Sequence, residues 1–130
     1  MDRLFLDANV LFSAAYKIDA RLLRLWKLRN VTLCSSHYAL HEARINLAGE
    51  DQRTRLTELA ASLQLFEARQ TSPPGILLPE KDVPIFLAAI EARATHLLTG
   101  DVRHFRAYFG KKIQGIAVMR PGEYLKMLAR

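Results

Sequence analysis

A chain of 130 residues, half of them hydrophobic, is the size of one ordinary domain and carries enough apolar side chain for a single core. Nineteen lysines and arginines against 13 acids give a formal charge of +6, a surplus that favours a polyanionic partner without requiring one. No apolar run reaches the roughly 18 residues of a bilayer crossing. Asp2 and Arg3 stand where a signal peptide would lead into a long apolar stretch, so a soluble, cytoplasmic protein is expected, and a lone Cys34 excludes an internal disulfide.

RLFLDA reads as a short buried strand, because its apolar residues are consecutive and the run is too short for a core helix. SAAYKIDARLLRLWKLRN follows as one amphipathic helix, with Ile18, Leu22, Leu25 and Trp26 at helical spacing and Lys17, Arg21 and Arg24 on another face. VTLCSS is a second buried strand, with Cys34 as a core residue rather than a nucleophile. Its serines can cap the helix HYALHEARINLAG. A further helix is expected from Asp51 to Ala68, its stripe made by Leu56, Leu59, Ala60, Leu63 and Phe66, until TSPPG breaks it as a loop. ILLP is a small strand or an extended connection. DVPIFLAAIEARA is a buried helix with Pro84 in its first turn. THLLTGD is a third strand, DVRHFRAYFG a short helix ended by Gly110, GIAVMRP a fourth strand, and PGEYLKMLAR a terminal helix. Strands that are apolar on both faces and alternate with helices indicate a mostly parallel sheet wrapped in helices, one domain over residues 1–130.

The acids fall at telling places. Asp7 closes the first strand and Asp101 the LLTG strand, so both belong at the rim where open α/β sheets bind ligands. Glu42 lies on the helix after the second strand with Asn46 at i+4, and Asp82 opens the buried helix that leads to the Asp101 strand. Each also has a local reading: Asp7 as a turn residue, Glu42 as a solvated helix acid, and Asp82 and Asp101 as helix caps. If the fold is as expected, two of them already share the rim. Two carboxylates about 5 Å apart repel by about 3 kcal/mol at an effective dielectric of 20. A cluster of four therefore calls for protons or cations, and Mg²⁺ or Mn²⁺ suits a carboxylate site. Such ions activate water and stabilise charge developing on a phosphoryl group, and a basic surface would hold the phosphodiester backbone.

FLDANVLFSAA, the acid in HEARINL, KDVPIFLAAIEARATHLLTGD and the following GDVRHF together resemble the PIN domain family over nearly the whole chain. The resemblance implies a three-layer α/β/α sandwich and a Mg²⁺- or Mn²⁺-dependent ribonuclease acting on single-stranded RNA. Many small members are toxins of toxin–antitoxin pairs. It carries the family's acid positions onto Asp7, Glu42, Asp82 and Asp101, and its accompanying polar positions onto Asn9 and Thr99. In that reading Asp7, Asp82 and Asp101 bind metal, and Glu42 is a further ligand or orients the attacking water. Asn9 and Thr99 support them, and cleavage leaves 5′-phosphate and 3′-hydroxyl ends. Many members have a further acid shortly after the last aspartate; here Val102, Arg103 and His104 stand there, which weakens a second metal position. Arg103 and His104 are candidates for RNA contact, with solvation and helix capping or packing as their plainer roles.

Two rival readings are distinguishable. An acid after the first strand also suits an aspartyl-phosphate phosphatase, but that chemistry wants a second Asp where Asn9 stands. A catalytically silent PIN-like scaffold that binds RNA or protein is the other. Apolar faces around Ile18 to Leu28 and Leu56 to Phe66 could pack on an antitoxin or on a second copy in a homodimer, or serve only the core. The six glycines form no GxGxxG or GxxxxGK pattern, so no nucleotide cofactor is signalled.

Overall fold

A computed structural model describes residues 1–68, 78–101 and 103–129. The TSPPG loop, Ile76 and Leu77 of ILLP, Val102 and Arg130 lie outside the described residues. Among the described residues a six-stranded sheet runs in the order β3-β2-β1-β4-β6-β5, from β1 (Asp2–Leu6), β2 (Val31–Ser36), β3 (Gln64–Phe66), β4 (His96–Leu98), β5 (Lys112–Ile113) and β6 (Ile116–Met119). All neighbours pair parallel except the edge pair β5 and β6. Helices α1 (Ala8–Tyr16), α2 (His37–Asn46), α3 (Glu50–Ala60), α4 (Val83–Glu91) and α5 (Pro121–Leu128) complete a three-layer α/β/α fold.

Apolar content explains the centre. Leu4, Phe5 and Leu6 of β1 are fully buried, as are Cys34 of β2 and Leu97 and Leu98 of β4. A strand flanked on both sides by parallel neighbours can bury both faces only if consecutive residues are apolar. Each such Leu or Phe stabilises the fold by about 1.5–3 kcal/mol. Burial also pushes the Cys34 thiol up from its ordinary value, which makes it inert as a nucleophile at neutral pH.

The expected first helix is replaced by two elements. Asp7 accepts the Ala8 N–H through Oδ1 at 2.6 Å, so α1 starts directly after β1 and ends at Tyr16. The chain leaves the helical path at Lys17, and Arg21–Lys27 forms a separate 3₁₀ helix. Ile18, placed on the apolar stripe by spacing, is 82% exposed in this break, whereas Leu25 is buried and Trp26 donates to the Leu59 carbonyl at 3.1 Å. The helix expected from Asp51 to Ala68 stops at Ala60. Leu65 and Phe66 instead pair with Ser35 and Ser36 at the sheet edge, which covers the open side of β2 and gives its backbone groups partners. In the DVRHFRAYFG segment the described residues 103–110 form a turn plus a 3₁₀ helix, Arg106–Tyr108, not an α-helix. Gln114 and Gly115 both have positive φ and close a two-residue hairpin between β5 and β6, the backbone such hairpins require.

This topology sets the location of the site. From β1 the chain moves outward to β2 and β3, then returns by α4 to β4 on the other side of β1. The strand order reverses between β1 and β4, and the crevice beyond their carboxyl ends is where open sheets accept ligands. Asp7 follows β1, and Thr99, Gly100 and Asp101 follow β4.

Candidate metal centre

Residue by residue, the crevice is built from local signals. Asp7 is 4% exposed and fully engaged by neutral donors: Oδ1 takes the Ala8 N–H, while Oδ2 takes the Thr99 hydroxyl at 2.7 Å and Asn9 Nδ2 at 3.2 Å. Thr99 Oγ1 also accepts from the Asp101 N–H at 3.1 Å, so one hydroxyl ties Asp7 to the backbone of Asp101. Asn9 spans the same gap, accepting the Gly100 N–H through Oδ1 at 2.8 Å and donating to Thr99 Oγ1 at 3.3 Å. Despite these donors, burial, followed by the charges of Asp82 and Asp101, raises the Asp7 carboxyl above its ordinary value.

Asp82 arrives on a 3₁₀ turn, Glu80–Asp82, held by its own N–H on the Pro79 carbonyl at 2.8 Å. Although it precedes α4, its side chain makes no capping hydrogen bond. The residue is 6% exposed, and Oδ2 is a buried oxygen without a hydrogen-bond partner. Burial first, and then the Asp101 charge, raise its carboxyl; His104 and Lys81 pull the other way. Asp101 caps its own turn by accepting the His104 N–H through Oδ1 at 3.2 Å, which folds the His104 ring back over the second oxygen. His104 Nδ1 then lies 2.7 Å from Asp82 Oδ2 and 2.6 Å from Asp101 Oδ2. Neither contact has the alignment of a hydrogen bond, and both Nδ1 and Asp82 Oδ2 remain without a partner of that kind. Ligand atoms of Asp82, Asp101 and His104 lie within 4.8 Å of one another, a set able to hold a metal ion.

A cleft of about 420 Å³ opens over this cluster, lined by Asp7, Asn9, Glu42, Asp82 and Asp101 together with Tyr38, Asn46 and Lys81. The sequence-predicted acids Asp7, Glu42, Asp82 and Asp101 thus share one space, and Asn9 and Thr99 hydrogen-bond Asp7. Glu42 stands apart from the tight group; no hydrogen bond or ion pair to its carboxylate occurs among the described residues. Asn46 donates to the Glu42 backbone carbonyl at 2.8 Å rather than to its side chain. Arg103 is exposed and lines a neighbouring cavity with Asn9, Gly100 and Asp101.

Three residues differ from the sequence expectation. His104 was expected at most to touch RNA, in a site of oxygen ligands alone; it sits between two of the acids. The signal was present in its i+3 offset from Asp101 and in Phe105, which is fully buried and anchors the turn. Tyr38 and Lys81 were not singled out. Tyr38 donates to the Lys81 carbonyl at 3.1 Å, and burial with the charges of Glu42, Asp82 and Asp7 holds its hydroxyl protonated.

The fold and site define an α/β/α protein with a carboxylate–imidazole cluster at its topological switch point. No protein-family model matches the chain, and no curated protein does. Among solved structures, the chain is similar to one in the crystal structure of VapBC2 from Rickettsia felis bound to a DNA fragment from their promoter. That match has a TM-score of 0.66 and 17% identity, covering 91% of this chain and 98% of that one. It is also similar to a chain of FitAcB from Neisseria gonorrhoeae, at a TM-score of 0.52 and 18% identity over 92% and 98%. At these identities the likeness is one of fold. None of the described helices is long and apolar enough to cross a membrane.

Proposed function

We propose that this protein is a divalent-metal-dependent ribonuclease of the PIN type and the toxin of a toxin–antitoxin pair. The observation that carries the reading is the convergence of Asp7, Glu42, Asp82 and Asp101, from four separate segments, on one cleft. Asp82 supports it most directly, since a buried carboxylate oxygen costs several kcal/mol unless a charge of opposite sign meets it, and His104 alone is in contact with Oδ2 without hydrogen-bond alignment. The residues fit Mg²⁺ or Mn²⁺: Asp82 and Asp101 would hold it, with Asp7 alongside. When bound, the ion neutralises charge building on the phosphoryl group and acidifies a water.

The chain's own residues supply the rest. Glu42, unpartnered across the cleft, orients the attacking water in line with the scissile bond. Asn9 and Thr99 hold Asp7 at a fixed rotamer, so little reorganisation accompanies the reaction. Lys81 on one side of the cleft and Arg103 on the other flank the path of a phosphodiester backbone. Products would carry 5′-phosphate and 3′-hydroxyl ends. A partner protein is in keeping with the VapBC2 assembly, and exposed Tyr16 and Ile18 at the end of α1 offer it apolar surface.

The test is cleavage of mixed cellular RNA by the purified protein, with Mg²⁺ or Mn²⁺ and with EDTA, mapped at nucleotide resolution. Metal-dependent cuts that disappear in Asp101→Asn are expected. Cleavage that persists in EDTA, or an unimpaired Asp101→Asn protein, would refute the assignment.

A further inference from the structure

We infer that His104 is itself a metal ligand, making this a mixed oxygen–nitrogen centre that selects Mn²⁺ over Mg²⁺. The inference rests on the metal-dependent reading above and sharpens it. Its basis is placement: His104 Nδ1 is within 2.7 Å of Asp82 Oδ2 and 2.6 Å of Asp101 Oδ2, without hydrogen-bond alignment to either. Asp82 is 6% exposed and its buried Oδ2 meets the His104 imidazole without hydrogen-bond alignment, so carboxylate and ring already converge on one place. The backbone that carries the ring is held in place. Its backbone N–H is fixed on Asp101 Oδ1, the next residue's N–H reaches the Asp101 carbonyl at 3.3 Å, and the Phe105 side chain is locked in the core.

Chemistry then sets the preference. Mg²⁺ takes hard oxygen ligands and gives up its waters reluctantly, so an imidazole in its first shell is a poor exchange. Mn²⁺ accepts carboxylate readily and imidazole better than Mg²⁺ does. A neutral nitrogen also completes the shell without adding a third negative charge beside Asp82 and Asp101.

Pulsed EPR of the Mn²⁺-loaded protein tests this without reference to turnover. Wild type should show the ¹⁴N coupling of a directly bound imidazole, replaced by the ¹⁵N pattern when its histidines are ¹⁵N-labelled. His104→Gln should remove that coupling and weaken Mn²⁺ binding by about tenfold or more, while Mg²⁺ binding changes much less; even a hydrogen-bond partner of a ligand is worth about tenfold. The labelled wild-type spectrum decides the matter if the variant does not fold. Mn²⁺ bound without nitrogen coupling would overturn the His104 assignment and leave the metal centre standing, with the imidazole only an ionic bridge between the acids. Absence of Mn²⁺ binding to wild type would overturn both.

Discussion

The two ends of the central parallel strands carry polar groups in opposite states. At the amino end, Asp2 accepts the Tyr124 hydroxyl at 2.6 Å, Arg3 donates to the Ala92 carbonyl at 2.8 Å and to Gln64 at 3.1 Å, and Thr95 accepts the Arg3 N–H and donates to its carbonyl. His96 packs edge-on against Tyr124 and touches the Thr95 hydroxyl. Asp2, the acid there, faces donors and no second acid among the contacts described. At the carboxyl end, acid faces acid: Asp7 and Asp82 are both raised, and Asp82 keeps an oxygen without a hydrogen bond. The same residue types therefore pair within the chain at one end and crowd together at the other, where Asp82, Asp101 and His104 could hold a metal ion. An end built for stability pairs its charges within the chain, and an end built for binding leaves part of that pairing to the ligand.

Breaking the carboxyl end should have the largest effect, and on activity far more than on stability. Asp82→Asn is expected to lower metal-dependent RNA cleavage by more than about a hundredfold, since it removes a ligand rather than a ligand's support. The metal-free variant should unfold at about the same urea concentration as wild type, because the desolvation cost of the buried carboxylate and its attraction to His104 are lost together. A variant that loses stability as well as activity would place Asp82 in the same class as the amino-end acids.

Thr99→Val asks whether the donors on Asp7 matter to the ion. Losing the hydroxyl that holds Oδ2 should weaken Mn²⁺ binding by about tenfold, measured by calorimetry, with no change at the other end of the strands. Tyr124→Phe is the converse experiment. It removes the donor to Asp2 and should cost about 1.5–3 kcal/mol in urea unfolding, while cleavage per folded molecule stays as in wild type.

The smallest expected effect is one of pH. Burial, with Lys112 assisting and Asp2 opposing, holds the His96 imidazole below its ordinary 6.5. The unfolded chain therefore takes up the proton first as pH falls. The stability from neutral, half-buried His96 is complete above about pH 6.5 and declines as pH drops through that value, and His96→Gln should flatten this part of the profile. A profile that rises on acidification in this window would mean the imidazole is charged in the folded state.

Much of this was legible because it is local. Consecutive apolar residues in RLFL and VTLCS are forced inside a parallel sheet, and Pro84 and Pro121 mark helix starts that occur where expected. The position of an acid just after a strand could likewise be read directly, since strand ends define the rim. Helix boundaries at residues 8, 16 and 60 were not legible. Spacing put Ile18 and Phe66 on helical stripes, whereas a cap on Ala8, a break after Tyr16 and an open edge beside β2 set the actual limits.

By itself, the sequence determined the α/β class, the buried β1 and β2, and the assignment of Asp7 and Asp101 to one rim, because hydrophobic pattern and chain order depend only on neighbours in the chain. Tertiary structure alone decided that Asn9 and Thr99 would hydrogen-bond Asp7 while Asp82 Oδ2 stays without a hydrogen bond. It also placed His104 between two acids, one of them 22 positions earlier in the chain. Hydrogen-bond satisfaction and ligand convergence depend on distances between remote segments, and those distances exist only once the β1–β4 pair has closed.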